Sequence, residues 1–96
     1  MRPSEILRAH REMVLQIIAA HHATNPRVIG SVARGEDTAD SDIDLLVDRQ
    51  QGMTLLEQAY MTEKLEELLQ VRVDIITSGA PSERFLAKAL LDAKQI

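Results

Sequence analysis

From Asp42 to Thr77 the chain reads strand, helix, strand. The apolar run DIDLLVD (42–48) is followed by an amphipathic segment over 54–70 and then by a second apolar run, VRVDIIT (71–77). A helix between two strands carries the chain back to the end of the sheet from which it started, so these strands are expected to pair in parallel. Thr54 suits the N-cap of the intervening helix, with Glu57 three residues later and Leu55, Ala59, Leu65, Leu68 and Leu69 as its apolar contacts.

The first half adds a helix and one more strand. Residues 3–22 read as one amphipathic helix. Pro3 stands in its first turn, Ser4 can cap it, and Ile6, Leu7, Val14, Ile17, Ile18 and His21 recur at helical spacing. His21 and His22 stand where they answer the helix dipole. ATNP (23–26) breaks the pattern, and RVIG (27–30) is a short strand ending at a glycine. The polar connection SVARGEDTADS (31–41) has room for one helical turn after Ser31, and its shortness favours antiparallel pairing of the strands that it joins. After a turn at SGAP (78–81), residues 82–94 form a last helix with Phe85, Leu86, Leu90 and Leu91 as contacts. The expected architecture is α/β in the order αβ(turn)βαβα. It is one domain over 1–96, with a small mixed sheet of about three strands covered by helices. An uncovered sheet edge would allow pairing with a second copy or a partner.

Composition narrows the function. The 96 residues carry a formal charge of −4 and only two aromatic side chains, Tyr60 and Phe85. An acidic chain without a stacking platform is not a nonspecific binder of nucleic acid or of membrane surfaces. Cysteine is absent, which excludes disulfides and thiolate metal sites. The longest apolar stretch, Ile17–Ala20, is far too short to span a bilayer, and no secretory signal is visible, so a cytoplasmic location is expected.

The stretch GSVARGEDTADSDID (30–44) holds the chemistry. Asp42 and Asp44 point to the same face of their strand because side chains repeat every two residues. Asp74 lies inside the later strand, and if the two strands are neighbours three carboxylates converge. Like charges at that spacing raise one another's pKa and destabilise a fold, unless a hard cation such as Mg²⁺ offsets them. Gly30 lets a phosphate approach the backbone, and Ser31 opens a turn whose N–H groups point outward. Arg34, one turn on, either adds charge to the same phosphate or is simply solvated, and Glu36 can orient it. Glu36 and Asp37 read as loop surface, Tyr60 as a half-buried helix residue or a self-modification acceptor, and TEKLEELLQ (62–70) as a solvated helix face.

The pattern G-S-x10-D-x-D followed by a third aspartate in an apolar strand resembles the signature of the nucleotidyltransferase superfamily that includes DNA polymerase beta. The ARGE continuation and the short chain are closest to its minimal branch, the MNT proteins. Ile29 stands where relatives often carry an aromatic. The resemblance covers almost the whole chain. It implies that Gly30 and Ser31 hold the triphosphate of ATP. It also implies that Asp42, Asp44 and Asp74 carry Mg²⁺, two ions in the family's pattern. Asp74 would act as base toward the nucleophile or only as a ligand. Many MNT proteins are antitoxins paired with a HEPN-domain ribonuclease toxin. The resemblance therefore implies AMP transfer from ATP to a tyrosine hydroxyl of such a toxin. Composition argues against direct contact with nucleic acid or membrane, and the sheet edge leaves a homo- or hetero-oligomer open. Two alternatives stay open: an antitoxin that blocks its toxin by steric contact alone, and a nucleotidyltransferase acting on a small-molecule hydroxyl.

Overall fold

The computed structural model describes residues 1–78 and 83–96, with the side chains of 83–86 excepted. Among the described residues five helices and four strands follow in the order α1 (Pro3–Ala9), α2 (Arg11–Ala20), β1 (Ala23–Ile29), α3 (Gly30–Arg34), β2 (Ile43–Arg49), α4 (Leu55–Leu69), β3 (Val73–Thr77), α5 (Glu83–Asp92) and β4 (Lys94–Gln95). The sheet order is β3-β2-β1-β4. As the crossover requires, β2 and β3 are parallel, while β1 is antiparallel to both β2 and β4.

The alternation of β2 sorts the two layers. Ile43, Leu45 and Val47 are fully buried on one face, in a core with Leu7, Val14, Ile18, Met61, Leu65 and Leu69 from α1, α2 and α4. Asp44, Leu46 and Asp48 occupy the other face, where Leu46 is sealed by a smaller cluster of Ile29, Ile76, Ala89 and Ala93 beneath α5.

Four local readings are corrected. The helix expected over 3–22 is two helices meeting at His10. Residues 8–13 are all exposed, so no apolar anchor holds a straight helix between Leu7 and Val14. ATNP is both a break and part of a strand. It lies within β1 but carries an irregularity in which the register shifts between Thr24 and Arg27 and Asn25 adopts φ 50°, and Pro26, which has no N–H to donate, is tolerated at such a bulge. The last helix stops at Asp92, and Lys94 and Gln95 instead pair with Val28 and Arg27 as a fourth strand. Finally, Leu55, Ala59, Leu90 and Leu91 are exposed rather than inward, Leu91 by 86%. Helix α4 buries the expected Leu65 and Leu69 together with Met61, and α5 buries Ala89. The turn expected at 78–81 beyond Ser78, and the contacts of Phe85 and Leu86, lie outside the described residues.

Thr54 caps α4 as expected, accepting a hydrogen bond from the Glu57 N–H at 3.1 Å. The Glu57 carboxylate reaches across to Nδ1 of the buried His21, 2.8 Å away, and ties the end of α2 to α4. His21 therefore has a specific partner beyond the helix dipole.

The outer edge of β3 is partly closed by α4. In a parallel ladder the groups of alternate residues face the neighbour. Arg72 O and Ser78 N–H bond to β2, which turns the groups of Val73, Ile75 and Thr77 outward. The Glu66 carboxylate accepts from the Val73 N–H at 3.0 Å, and the Gln58 amide donates to the Ile75 carbonyl at 3.1 Å. Side chains thus occupy positions that another strand would use. The double variant Gln58→Ala, Glu66→Ala is expected to melt a few degrees lower, at about 1 kcal/mol per lost bond. It is also expected to self-associate more than the wild type in sedimentation velocity. Unchanged melting and unchanged sedimentation would remove this role from both residues.

Candidate active site

The antiparallel register sets Ile29 opposite Asp44, and the parallel register sets Asp44 opposite Asp74. Three adjacent strands therefore bring the end of β1 and two carboxylates side by side on the α5 face. Immediately after Ile29, Gly30 turns the chain with φ 70° into α3, which ends at Gly35. The turn is tight against β2: a Cβ on Gly30 would stand 2.8 Å from Asp44 Oδ2. A cleft of about 550 Å³ opens here, with Gly30, Asp44 and Asp74 at its polar end and Arg34, Lys88 and Asp92 around it, over an apolar floor that includes Ile29 and Ile76.

Burial pushes the Asp44 carboxyl above its ordinary pKa. The charges of Asp74 and Asp42 and a hydrogen bond with Asp74 push it further in the same direction.

Asp42 behaves differently. It precedes β2, is exposed, and does not line the cleft. Among the described residues no three carboxylate or histidine side chains are drawn together as a ready-made metal cage. The convergence expected of three aspartates is instead a pair, Asp44 and Asp74, with Asp42 acting on Asp44 by charge alone. The reason is local: the ladder holds residues 44 and 74 in register, whereas residue 42 lies outside it. The pair still suits a hard divalent cation. Its donors are carboxylate oxygens, its charges are mutually unfavourable, and Mg²⁺ ordinarily completes its shell with water and substrate phosphate.

Ser31 is half-buried in the first turn of α3 and does not line the cleft. Arg34 lines it, but its guanidinium is already engaged: Nε donates to Glu36 at 3.1 Å and Nη1 to Asp92 at 2.9 Å. Glu36 thus orients Arg34. Asp37, expected at the loop surface, is only 4% exposed. Its Oδ2 accepts from the Ser4 N–H at 2.8 Å and ties the loop after α3 to the first turn of α1. Burial pushes the Asp37 carboxyl up, but its bonds to Ser4 outweigh that and hold it below the ordinary range.

The sequence reading missed Lys88 and Asp92. It located α5 by its large apolar residues, and Leu90 and Leu91 turn out to face solvent. The available signal was the spacing of Lys88, Ala89 and Asp92, which puts a small residue and two charges on one helical face. Tyr60, 49% exposed, is on α4, which packs against the sheet face opposite the cleft.

Comparison with known proteins gives this geometry a family. Residues 11–96 match the model of the nucleotidyltransferase domain. The fold superposes with a TM-score of 0.87 on a solved structure described as a "putative minimal nucleotidyltransferase", at 47% identity over 97% of this chain and 95% of that one. The chain belongs to the minimal nucleotidyltransferases. Methanocaldococcus jannaschii has a relative of this nucleotidyltransferase named "putative protein adenylyltransferase", 31% identical over 90% of this chain and 85% of its own length. The fold also matches an MNT antitoxin solved with a tri-AMPylated HEPN toxin of Shewanella oneidensis. There the TM-score is 0.71 and the identity 16%, over 92% of this chain and 69% of that one. Among the described residues no helix of this nucleotidyltransferase is long and apolar enough to cross a membrane.

Proposed function

We propose that this nucleotidyltransferase is an antitoxin that moves AMP from ATP onto a tyrosine hydroxyl of a HEPN-domain toxin. The observation that carries the proposal is the Asp44–Asp74 pair set against the Gly30 turn inside one cleft. That arrangement offers a place for phosphate beside a place for a cation and a proton acceptor. The relatives named as protein adenylyltransferases, and the fold shared with an MNT antitoxin bound to an AMPylated toxin, support a protein as acceptor.

In this reading the tyrosine oxygen attacks the α-phosphorus. A new P–O bond forms, the bond to the β-phosphate oxygen breaks, and pyrophosphate leaves with the electron pair. Asp74, exposed at the cleft, accepts the hydroxyl proton. The backbone at Gly30 and the Ser31 hydroxyl orient the phosphates, and Arg34, fixed by Glu36 and Asp92, flanks them. Asp44 and Asp74, with Asp42 just before β2, are the residues that would hold Mg²⁺, which when bound neutralises phosphate charge. The product carries a bulky phosphodiester with an added negative charge, and beside a site that must bind RNA phosphates that charge repels the substrate.

The test is intact-mass analysis of the HEPN-domain product of a neighbouring gene, after incubation with this protein, ATP and Mg²⁺. A gain of AMP units that is absent with the Asp42→Asn, Asp44→Asn double variant is expected. No gain from a folded pair that still associates would leave steric blocking as the function.

A further inference from the structure

The cleft carries five charged side chains among the described residues: Arg34, Asp44, Asp74, Lys88 and Asp92. Arg34 is neutralised twice over, by Glu36 and by Asp92. Lys88 is not. It is exposed on α5, lines the same cleft as the Asp44–Asp74 pair, and has no ion-pair partner among the described residues. An ammonium that shares a cleft with two carboxylates, without an ion pair to either, is placed to meet an anion that binds there.

We infer that Lys88 contacts the polyphosphate of the bound nucleotide and is a binding residue of this site. The inference rests on the nucleotide reading above and adds to it a residue from the last helix. The charge balance points the same way. With both aspartates ionised, the five lining groups sum to a negative charge, while a nucleoside triphosphate brings several more. A cation between the two must come from bound metal or from the protein, and among the described residues Lys88 is the lining cation that no carboxylate already holds. Its neighbour Ala89 is small and buried, so the helix sits close enough to the sheet for the lysine stem to reach over the floor formed by Ile29 and Ile76. Because the ammonium is a point charge without a fixed fork, charge rather than shape sets its contribution, and arginine should substitute well.

The experiment is calorimetric titration of the full chain and its Lys88→Met, Lys88→Arg and Lys88→Glu variants with Mg-ATP, and separately with adenosine. The expected result is that Lys88→Met weakens ATP binding about tenfold, that Lys88→Glu weakens it further, and that Lys88→Arg stays within about threefold of wild type. Adenosine should bind all four alike, since it carries no phosphate, and the thermal midpoints should coincide because Lys88 is exposed. ATP binding by Lys88→Met at wild-type affinity would overturn the assignment and leave the nucleotide reading standing. An equal loss of adenosine and ATP would also overturn it, because a general disturbance of the cleft would then be the cause. Failure of the wild type to bind Mg-ATP would overturn both.

Discussion

Asp44→Asn is expected to lower AMP transfer by at least about a thousandfold and, at neutral pH, to make the protein more stable. Loss of activity follows from removing one of the two paired oxygen donors at the point where phosphate charge must be neutralised. The gain in stability follows from the same pair. Asp44 is pushed above its ordinary pKa by burial first, then by the charges of Asp74 and Asp42. A carboxyl with a raised folded-state pKa binds its proton more tightly in the folded than in the unfolded chain. Its ionised form therefore weakens the fold at neutral pH, and the fold recovers that stability as the pH falls through the raised pKa. Asparagine keeps the shape without the charge, so the variant should melt a few degrees above wild type at about pH 7. The difference should shrink as the pH falls through the raised pKa, where the wild-type carboxyl takes up its proton. Thermal melts across that range, run beside the mass assay, check both halves. A variant that melts lower at neutral pH would show that the ionised Asp44 carboxylate stabilises the fold by more than its burial and repulsion cost. Asp48, two residues along the same face, should behave in the opposite way. Its carboxyl is held below the ordinary range by bonds to Ser78 and Asn25 and by Arg27, so its neutralisation should cost stability at neutral pH.

What could be read from the sequence follows from how far each signal reaches along the chain. The period-two alternation of DIDLLVD fixes which side chains share a face, and the helix after it fixes the parallel partner. These two local facts place Asp44 beside Asp74. Asp42 obeys the same alternation but lies one residue outside the ladder, and alternation cannot show where pairing begins. Lys94 reads as the end of the helix and Gln95 as no element, because two residues carry no periodicity. They are a strand because β1 offers an open edge, which is a tertiary fact. Leu55, Leu90 and Leu91 misled for a related reason: helical spacing finds an apolar stripe without saying whether anything covers it, and each of the two helices meets the sheet through a different set of residues. Asp37 shows the converse. A charged residue in a polar loop looks solvated until the first turn of a distant helix supplies an N–H for it.

The Gly30 turn supports the second large effect. Gly30→Ala is expected to destabilise the protein by about 1–3 kcal/mol and to lower transfer by at least about a hundredfold. Two costs combine. At φ 70° any side chain is strained, and the new methyl would stand 2.8 Å from Asp44 Oδ2, closer than real contacts allow. Either the carboxylate leaves its place beside Asp74 or the β1–α3 backbone moves, and both break the arrangement that the chemistry needs. Gly35 separates the two costs. Its φ is 72°, nearly the same, but nothing stands within 4 Å of where its Cβ would be. Gly35→Ala should therefore show the backbone strain alone, near the lower end of that range, with transfer largely retained. A double-mutant cycle isolates the contact itself. Asp44→Ala removes the oxygen, so Gly30→Ala should cost less stability in that background than in wild type, by more than the few tenths of a kcal/mol expected of independent sites. Additive losses would mean that φ strain alone requires glycine at position 30 and that the close approach of the Asp44 carboxylate is incidental.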